Sequence, residues 1–210
     1  MPAEISGTVC RGVLFGFALF LLCVLGILTR PGSDLASFWP ANAFMLGMLI
    51  RFPRLAHPFS WVACAAGFAL ADLLTGGSVL NTVVLNLGNL MAIAVGYFVL
   101  SRVRREDQRL SRPASVPLML VAVTAAAVTA GLFGTVADPV LFGGHSLDAL
   151  LYWSATELVN YVAFLPMILT FPDDPWRKLS ALLRSPPRLL GVLPFLALIV
   201  TAISGAMIGG

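Results

Sequence analysis

Apolar residues in this chain are gathered into seven long stretches, which are separated by short polar or basic segments. A helix needs about 20 apolar residues to cross a bilayer of about 30 Å, and shorter stretches suffice where the membrane is thinner. The stretches predict seven transmembrane helices, at Gly12–Thr29, Leu35–Ile50, Phe59–Leu74, Val79–Leu100, Ser115–Val136, Leu147–Phe171 and Leu189–Ile208. The predicted fold is all-α, a polytopic helical bundle in which residues 1–210 form a single integral-membrane domain.

The basic residues predict the orientation of these helices. If the amino terminus is inside, twelve of the 13 Lys and Arg residues lie in inner segments and only Arg30 lies outside. Cytoplasmic loops of membrane proteins retain Lys and Arg, so we predict a cytoplasmic amino terminus. We interpret the basic connection Arg102–Arg112 as a solvated topology anchor. The segment from Pro175 to Arg184 is either a short interfacial helix or a plain loop.

Composition excludes several classes of protein. A chain with 59% hydrophobic and 11% charged residues is not a water-soluble domain. The basic residues are spread over four inner segments, so they form no groove for nucleic acid. His57 and His145 lie in loops on opposite faces of the membrane, so no shared metal or haem site is predicted. The chain also lacks catalytic motifs, and we predict that it is not an enzyme and holds no cofactor.

Polar residues at membrane depth are the candidates for function. Glu157 lies about 15 Å below the outer surface by helical rise, near the bilayer midplane. On a helix, Trp153, Asn160 and Tyr161 share its face. An ionisable group inside a membrane is costly unless it is satisfied, and such groups are often functional. Glu157 is therefore the strongest candidate for a site residue.

A second polar face is predicted on the fourth helix, where Asn86 and Asn89 are three residues apart. Asn42 on the second helix and Asp72 on the third lie towards the outer side. If these faces converge with the face of Glu157, they line a polar cavity in the outer half of the bundle. The cavity is either a ligand pocket or proton-sensitive switch, or a set of hydrogen bonds that only hold helices together.

Several short motifs carry a resemblance to a known family. They are Phe38-Trp39-Pro40-Ala41-Asn42-Ala43 followed by Arg51, Gly88-Asn89-Leu90, Trp153, and Phe164-Leu165-Pro166. In their order and spacing they resemble the first-described family of bacterial membrane-associated sensor domains, over about residues 12–208. Together with the buried polar residues, the resemblance gives a candidate signal pocket of Trp39, Asn42, Asp72, Asn86, Asn89, Trp153, Glu157, Asn160 and Tyr161. Pro166 is either a hinge or a static bend in the sixth helix.

The resemblance implies a sensory function. Relatives are amino-terminal modules of the bacterial inner membrane, followed by cytoplasmic diguanylate cyclase, phosphodiesterase or histidine kinase domains. The family pattern has eight helices, so we expect an eighth helix and an output domain after Gly210. The implied partners are membrane lipid, an unidentified small molecule or membrane protein that provides the stimulus, and a second copy joined through the output domain.

Two alternatives remain open on the sequence. A midplane polar cavity in a compact bundle also suits a small transport-type protein, such as a substrate-binding membrane subunit. A purely structural membrane scaffold is the third possibility, and it predicts that the charge of Glu157 affects stability alone.

Overall fold

The helices of this chain are defined in a computed structural model that describes residues 2–29 and 38–172, with side chains from residue 7 onward. Over these residues the chain forms seven α-helices, one 3-10 turn at Pro53–Leu55 and no strand. The helices are α1 (Pro2–Leu28), α2 (Pro40–Arg51), α3 (Pro58–Leu74), α4 (Val79–Ser101), α5 (Arg105–Gln108), α6 (Ser115–Phe142) and α7 (Ser146–Leu169). The predicted all-α fold is confirmed. The predicted helix at Leu189–Ile208 and the segment from Pro175 to Arg184 lie outside the described residues.

The helix boundaries follow local chemistry more closely than the apolar stretches do. Within the apolar stretch that starts at Leu35, α2 begins at Pro40, because proline disfavours helical geometry in the preceding residue and fits the first helical position itself. The helix predicted to end at Val136 runs to Phe142, through Pro139, and stops at Gly143, whose φ of 72° is left-handed.

Three described helices are long and apolar enough to cross a bilayer: the Gly7–Leu28 part of α1, α4 and α6. α3 is a shorter apolar helix of 17 residues. The 12 residues of α2 span only about 18 Å, less than the hydrocarbon thickness. α7 has 24 residues and includes two carboxylates, Asp148 and Glu157. The crossing of the membrane by seven helices therefore remains a prediction.

The short helix α2 forms the centre of the bundle. It packs against α1, α4 and α7, and ten of its 12 residues are buried. A helix that is apolar on all sides is expected to be enclosed by protein or lipid. Met45, Leu46 and Leu49 of α2 contribute to a core that also includes Phe68 of α3 and Ile93 of α4. Because residues along the whole length of α2 are packed in this core, the positions of both ends of the helix are fixed relative to the neighbouring helices.

Close packing of small residues joins α1 to α3. A Cβ on Gly16 would lie 2.5 Å from the carbonyl oxygen of Ala63, and one on Gly67 would lie 2.5 Å from the carbonyl oxygen of Gly16. The backbones of the two helices are therefore in direct contact, as is common where membrane helices associate. Large apolar side chains such as Phe17, Leu21 and Leu132 face outward, which suits lipid.

Candidate functional site: a buried network of amides and carboxylates

Asn42, near the start of α2, is the centre of a hydrogen-bond network. Its side chain is fully buried. One amide nitrogen, Nδ2, donates to Glu157 Oε1 at 2.8 Å and to Asn89 Oδ1 at 3.0 Å, and Asn42 Oδ1 accepts from Trp39 Nε1 at 3.3 Å. Both N–H groups and the oxygen of this amide are therefore used. Asn42 joins α2 to α4 and α7 through side chains alone.

The network continues along α4 to the third helix. Asn89 Nδ2 donates to Asn86 Oδ1 at 3.5 Å, and Asn86 Nδ2 donates to Asp72 Oδ2 and to the carbonyl oxygen of Thr82, both at 2.8 Å. The two asparagines lie on one face of α4 because they are three residues apart. Three amides thus connect the buried carboxylate of Glu157 to the half-buried carboxylate of Asp72.

A second connection joins α7 to the entry of α2. Asn160 Oδ1 accepts the backbone N–H of Trp39 at 2.8 Å, and Asn160 Nδ2 donates to the carbonyl oxygen of Thr156 at 2.8 Å. The Trp39 ring stacks on Phe68 with centroids 6.5 Å apart, and Gly26 provides the space for it. The residues before α2 are therefore held by three other helices.

Three buried polar atoms in the described part of the chain have no hydrogen-bond partner: Thr82 Oγ1, Glu157 Oε2 and Tyr161 OH. Glu157 is 9% exposed and Tyr161 is fully buried. Tyr161 follows Glu157 by four residues, so the two side chains lie on the same face of α7. Unsatisfied buried polar atoms are costly and uncommon in folded proteins. This face of α7 consequently has capacity to accept and donate further hydrogen bonds.

The structure brings together most of the predicted pocket residues but places Trp153 elsewhere. Trp153 Nε1 donates to Asp138 Oδ2 at 3.2 Å, and the indole lies over Gly134 of α6. Its position follows from the α6–α7 contact, which the sequence pattern of α7 alone did not indicate. Pro166 lies inside α7, and the helix continues past it to Leu169. Its role as a hinge remains a prediction.

Sequence reasoning missed an ordered polar cluster between α4 and α6. Arg112 donates to both carboxylate oxygens of Asp107 at 2.7 Å, and Ser115 Oγ donates to Asp107 Oδ1 at 2.8 Å. These hydrogen bonds hold the pKa of the Asp107 carboxyl below its ordinary value. The segment interpreted as a solvated anchor is thus partly folded. The sequence feature that could have indicated this cluster is the pair of acidic residues, Glu106 and Asp107, among the arginines.

The side chains of this network are amides and carboxylates, which donate and accept hydrogen bonds. In the described residues no group of three His, Cys, Asp or Glu side chains is arranged to hold a metal ion. In a low-dielectric site, amides and carboxylates favour a contacting group whose donors and acceptors match their own. Because the amides are hydrogen-bonded to one another, rotation of one amide also changes the hydrogen bonds of its neighbours. Such a network can distinguish two arrangements of the helices that it joins.

Comparisons with known proteins agree with a membrane-embedded module. The sequence model of the family MASE1 matches residues 11–208. The chain is 24% identical over 214 residues to the probable diguanylate cyclase DgcF of Escherichia coli O157:H7, and the alignment covers 98% of this chain. The chain spans 42% of the length of that relative. No solved structure matches the chain.

Proposed function

This chain belongs to the MASE1 family of membrane sensor domains, and from that premise we propose that it detects a stimulus within or outside the membrane and regulates a cytoplasmic signalling output. The output that the relative's name supports best is synthesis of cyclic di-GMP. A phosphodiesterase and a histidine kinase are the other outputs that the family resemblance implies. The proposed location is the bacterial inner membrane, with several passes. The proposed assembly is a dimer formed through the output domain.

The single observation that supports this proposal is the position of Asn42. It lies on the enclosed central helix and bonds to both α4 and α7. A stimulus that changes the partner of Glu157, or the spacing of these helices, must therefore change the hydrogen bonds of α2. The proposed sensing residues are Trp39, Asn42, Asp72, Asn86, Asn89, Glu157, Asn160 and Tyr161.

The energies of such a network suit a switch. Hydrogen bonds between membrane helices contribute about 0.6 kcal/mol on average and up to about 1.7 kcal/mol. Exchange of two or three of them therefore changes the free-energy difference between two helix arrangements by about 1 to 5 kcal/mol. Each 1.4 kcal/mol changes a population ratio tenfold, so a stimulus that binds the two arrangements unequally can shift the output substantially.

A chimera tests this function. Residues 11–208 of this chain replace the matching membrane part of the Escherichia coli relative, and cyclic di-GMP is measured in cells. We expect Glu157→Gln, which keeps the shape of the side chain and removes its charge, to change the cyclic di-GMP level about threefold or more at equal membrane abundance, since one altered hydrogen bond corresponds to roughly this factor.

The matched control is Asp148→Asn, which removes an exposed carboxylate from the first turn of the same helix. It should leave cyclic di-GMP at the level of the unsubstituted chimera. If Glu157→Gln alters only the abundance or thermal stability of the chimera and never its output, the network is structural and the proposed sensing role of Glu157 is wrong.

A further inference from the structure

Glu157 lies near the middle of the helices that surround it, far from their ends. It is about 16 Å along the axis of α7 from Ser146, the first residue of that helix. Its partner Asn42 also bonds to Asn89, which lies about 15 Å into α4. Because α4 is long and apolar enough to cross a bilayer, the carboxyl group of Glu157 lies close to mid-membrane depth.

The short helix α2 begins at this same depth. Asn42 is in its first turn, and the backbone N–H of Trp39, just before the helix, donates to Asn160 Oδ1 on α7. Non-helical backbone at membrane depth is tolerated only where protein encloses it or water reaches it. The carboxyl group of Glu157 thus contacts the first turn of an enclosed helix that is half the length needed to cross the membrane.

Only one oxygen of this carboxyl group has a hydrogen-bond partner in the described residues. Oε1 accepts from Asn42 Nδ2 at 2.8 Å, whereas Oε2 is buried without a partner. The side chain of Glu157 is 9% exposed. A charged carboxylate in a buried place is normally stabilised by several hydrogen bonds or by a cation. A single amide donor suits a neutral carboxylic acid, whose second oxygen carries the proton.

No cation in the described part of the chain forms an ion pair with Glu157. The charged or titratable residues of the helices around it are Arg51 on α2, Asp72 on α3, Tyr97 on α4, Asp138 on α6, and Asp148, Tyr152 and Tyr161 on α7 itself. Arg51 is nine residues beyond Asn42, which is about 14 Å along the axis of α2. The network therefore offers Glu157 hydrogen bonds but no compensating charge.

Tyr161 provides a group that distinguishes the two protonation states of Glu157. Its hydroxyl is fully buried without a hydrogen-bond partner, and it follows Glu157 by four residues on the same face of α7. A protonated carboxyl group can donate to a hydroxyl oxygen, whereas a carboxylate can only accept from the hydroxyl. The acid and the carboxylate therefore require different arrangements of these two side chains.

We propose that Glu157 is a proton-binding site, and that gain or loss of its proton switches the hydrogen-bond network around Asn42. This inference rests on the proposed sensing function and names the proton as its stimulus. In the protonated form, the bond from Asn42 satisfies Oε1 and the carboxyl group carries no charge. When the proton leaves Oε2 for water, the remaining carboxylate needs further donors, so its contact with the first turn of α2 must change.

The first test observes the carboxyl group directly. The chain contains three glutamates, Glu4, Glu106 and Glu157. The protein is isotope-labelled at the carboxyl carbon of glutamate, reconstituted in lipid nanodiscs, and followed by NMR from about pH 5 to about pH 9, a range in which buried glutamates are known to titrate. The signal of Glu157 is the one that Glu157→Gln and Glu157→Asp both lack, and exposed Glu106 is the reference.

We expect the signal of Glu157 to move from the position of a carboxylic acid to that of a carboxylate as the pH rises through this range. A carboxylate signal from Glu157 at every pH would overturn the proposal. An acid signal that never changes would also overturn it, because a group that keeps its proton cannot be a switch. Wild type alone gives this result, so it does not depend on how well either variant folds.

The second test connects the proton to the output. The chimera described above is purified in nanodiscs, and its rate of cyclic di-GMP synthesis is measured at about pH 6 and about pH 8. Each rate is divided by that of Glu157→Gln at the same pH, because the catalytic domain has a pH dependence of its own. We expect this ratio to change about threefold or more between the two pH values, since one altered hydrogen bond corresponds to roughly this factor.

Two further variants of the chimera serve as controls. Asp148→Asn removes an exposed carboxylate from the same helix and should show the same change in ratio as the unsubstituted chimera. Glu157→Asp retains a group that binds a proton, so its ratio should still depend on pH. Loss of the pH dependence in Asp148→Asn would overturn the assignment of the proton to Glu157.

The outcomes separate this inference from the proposed function. If Glu157→Gln changes the output by the same factor at both pH values, the sensing role of Glu157 stands and the proton is not its stimulus. If Glu157→Gln has no effect on the output of a folded chimera at either pH, the sensing role and the proton switch are both wrong.

Discussion

The two ends of α2 are stabilised by different chemistry. At its start, Asn42 bonds to one amide, one indole and one carboxylate inside the bundle. At its end, Arg51 lines a small cavity together with Arg105 and Arg109. The interior end uses mostly neutral side chains, because an unpaired charge is costly there. The other end carries full charges: Arg51 is buried, and the neighbouring Arg105 and Arg109 are exposed to solvent.

This difference predicts different responses to mutation, pH and salt. Neutral amide hydrogen bonds in the interior are insensitive to ionic strength, and removal of one partner leaves other buried groups unsatisfied. Ion pairs at a surface are screened by salt and contribute little unless their geometry is favourable. The interior network should therefore dominate stability, and the Asp107–Arg112 ion pair between α4 and α6 should determine how stability depends on pH in acid.

The largest effect is expected from Asn42→Ala. This change removes three hydrogen bonds and leaves the carboxylate of Glu157 with no hydrogen bond in the described part of the chain. We expect the free energy of unfolding to fall by about 3 kcal/mol. The measurement is thermal or denaturant unfolding of the purified protein in detergent.

The control for this loss is Asn81→Ala on α4, a partly exposed asparagine outside the network. It should change the unfolding free energy by less than about 0.5 kcal/mol, as is usual for surface substitutions. Similar losses for Asn42→Ala and Asn81→Ala would show that the interior network has no special importance.

A smaller effect, present at neutral pH and lost in acid, is expected from Asp107→Asn. The pKa of this carboxyl is lowered in the folded protein by its hydrogen bonds to Arg112 and Ser115. Its contribution to stability is therefore fully present above its ordinary pKa of 3.8 and is lost as pH falls through the folded value. Wild type should be more stable than the variant at pH 7, and the difference should shrink below about pH 4.

The measurement is a series of melts from pH 3 to pH 7, with Glu106→Gln as the control. Glu106 is exposed and lies 3.8 Å from its arginines, so its variant should follow wild type at every pH. If the difference in Tm between Asp107→Asn and wild type is the same at every pH in this range, the ion pair does not cause the loss of stability in acid.

The smallest effect is expected from Thr82→Val. The hydroxyl of Thr82 is buried without a partner, although its backbone carbonyl accepts a hydrogen bond from Asn86. Replacement of an unpaired buried hydroxyl by a methyl group should leave stability unchanged or raise it by about 0.5 kcal/mol. A loss above about 1 kcal/mol in unfolding measurements would show that this hydroxyl has a partner and belongs to the network.

The sequence predicted which residues share a helix face, because that depends only on the helical repeat. Asn86 and Asn89 on α4, and Glu157 and Asn160 on α7, do lie on faces that meet around α2. The sequence did not predict which neighbour each face would contact. Trp153 shares the predicted face of Glu157, yet its indole bonds to Asp138 of α6. That choice is made by packing between helices.

Segments between helices were harder to predict for a related reason. The pair of Asp107 and Arg112 is five residues apart and forms across a bend, so no helical repeat indicates it. The basic character of the segment favoured a solvated loop, and the buried carboxylate that organises it gave only a weak signal. Ion pairs of this kind depend on how the ends of α4 and α6 come together, which the sequence does not indicate.

The central claim is that the network around Asn42 acts as one unit that sets signalling output. A double-mutant cycle tests it most directly: Asn89→Ala, Glu157→Gln and their combination are compared in the chimera by cyclic di-GMP per folded protein. Both residues accept from Asn42 Nδ2, so we predict coupling of about 1 kcal/mol, and the combined effect should differ about fivefold from the product of the single effects. Single effects that multiply without any coupling, or three variants with unchanged output, would contradict the claim.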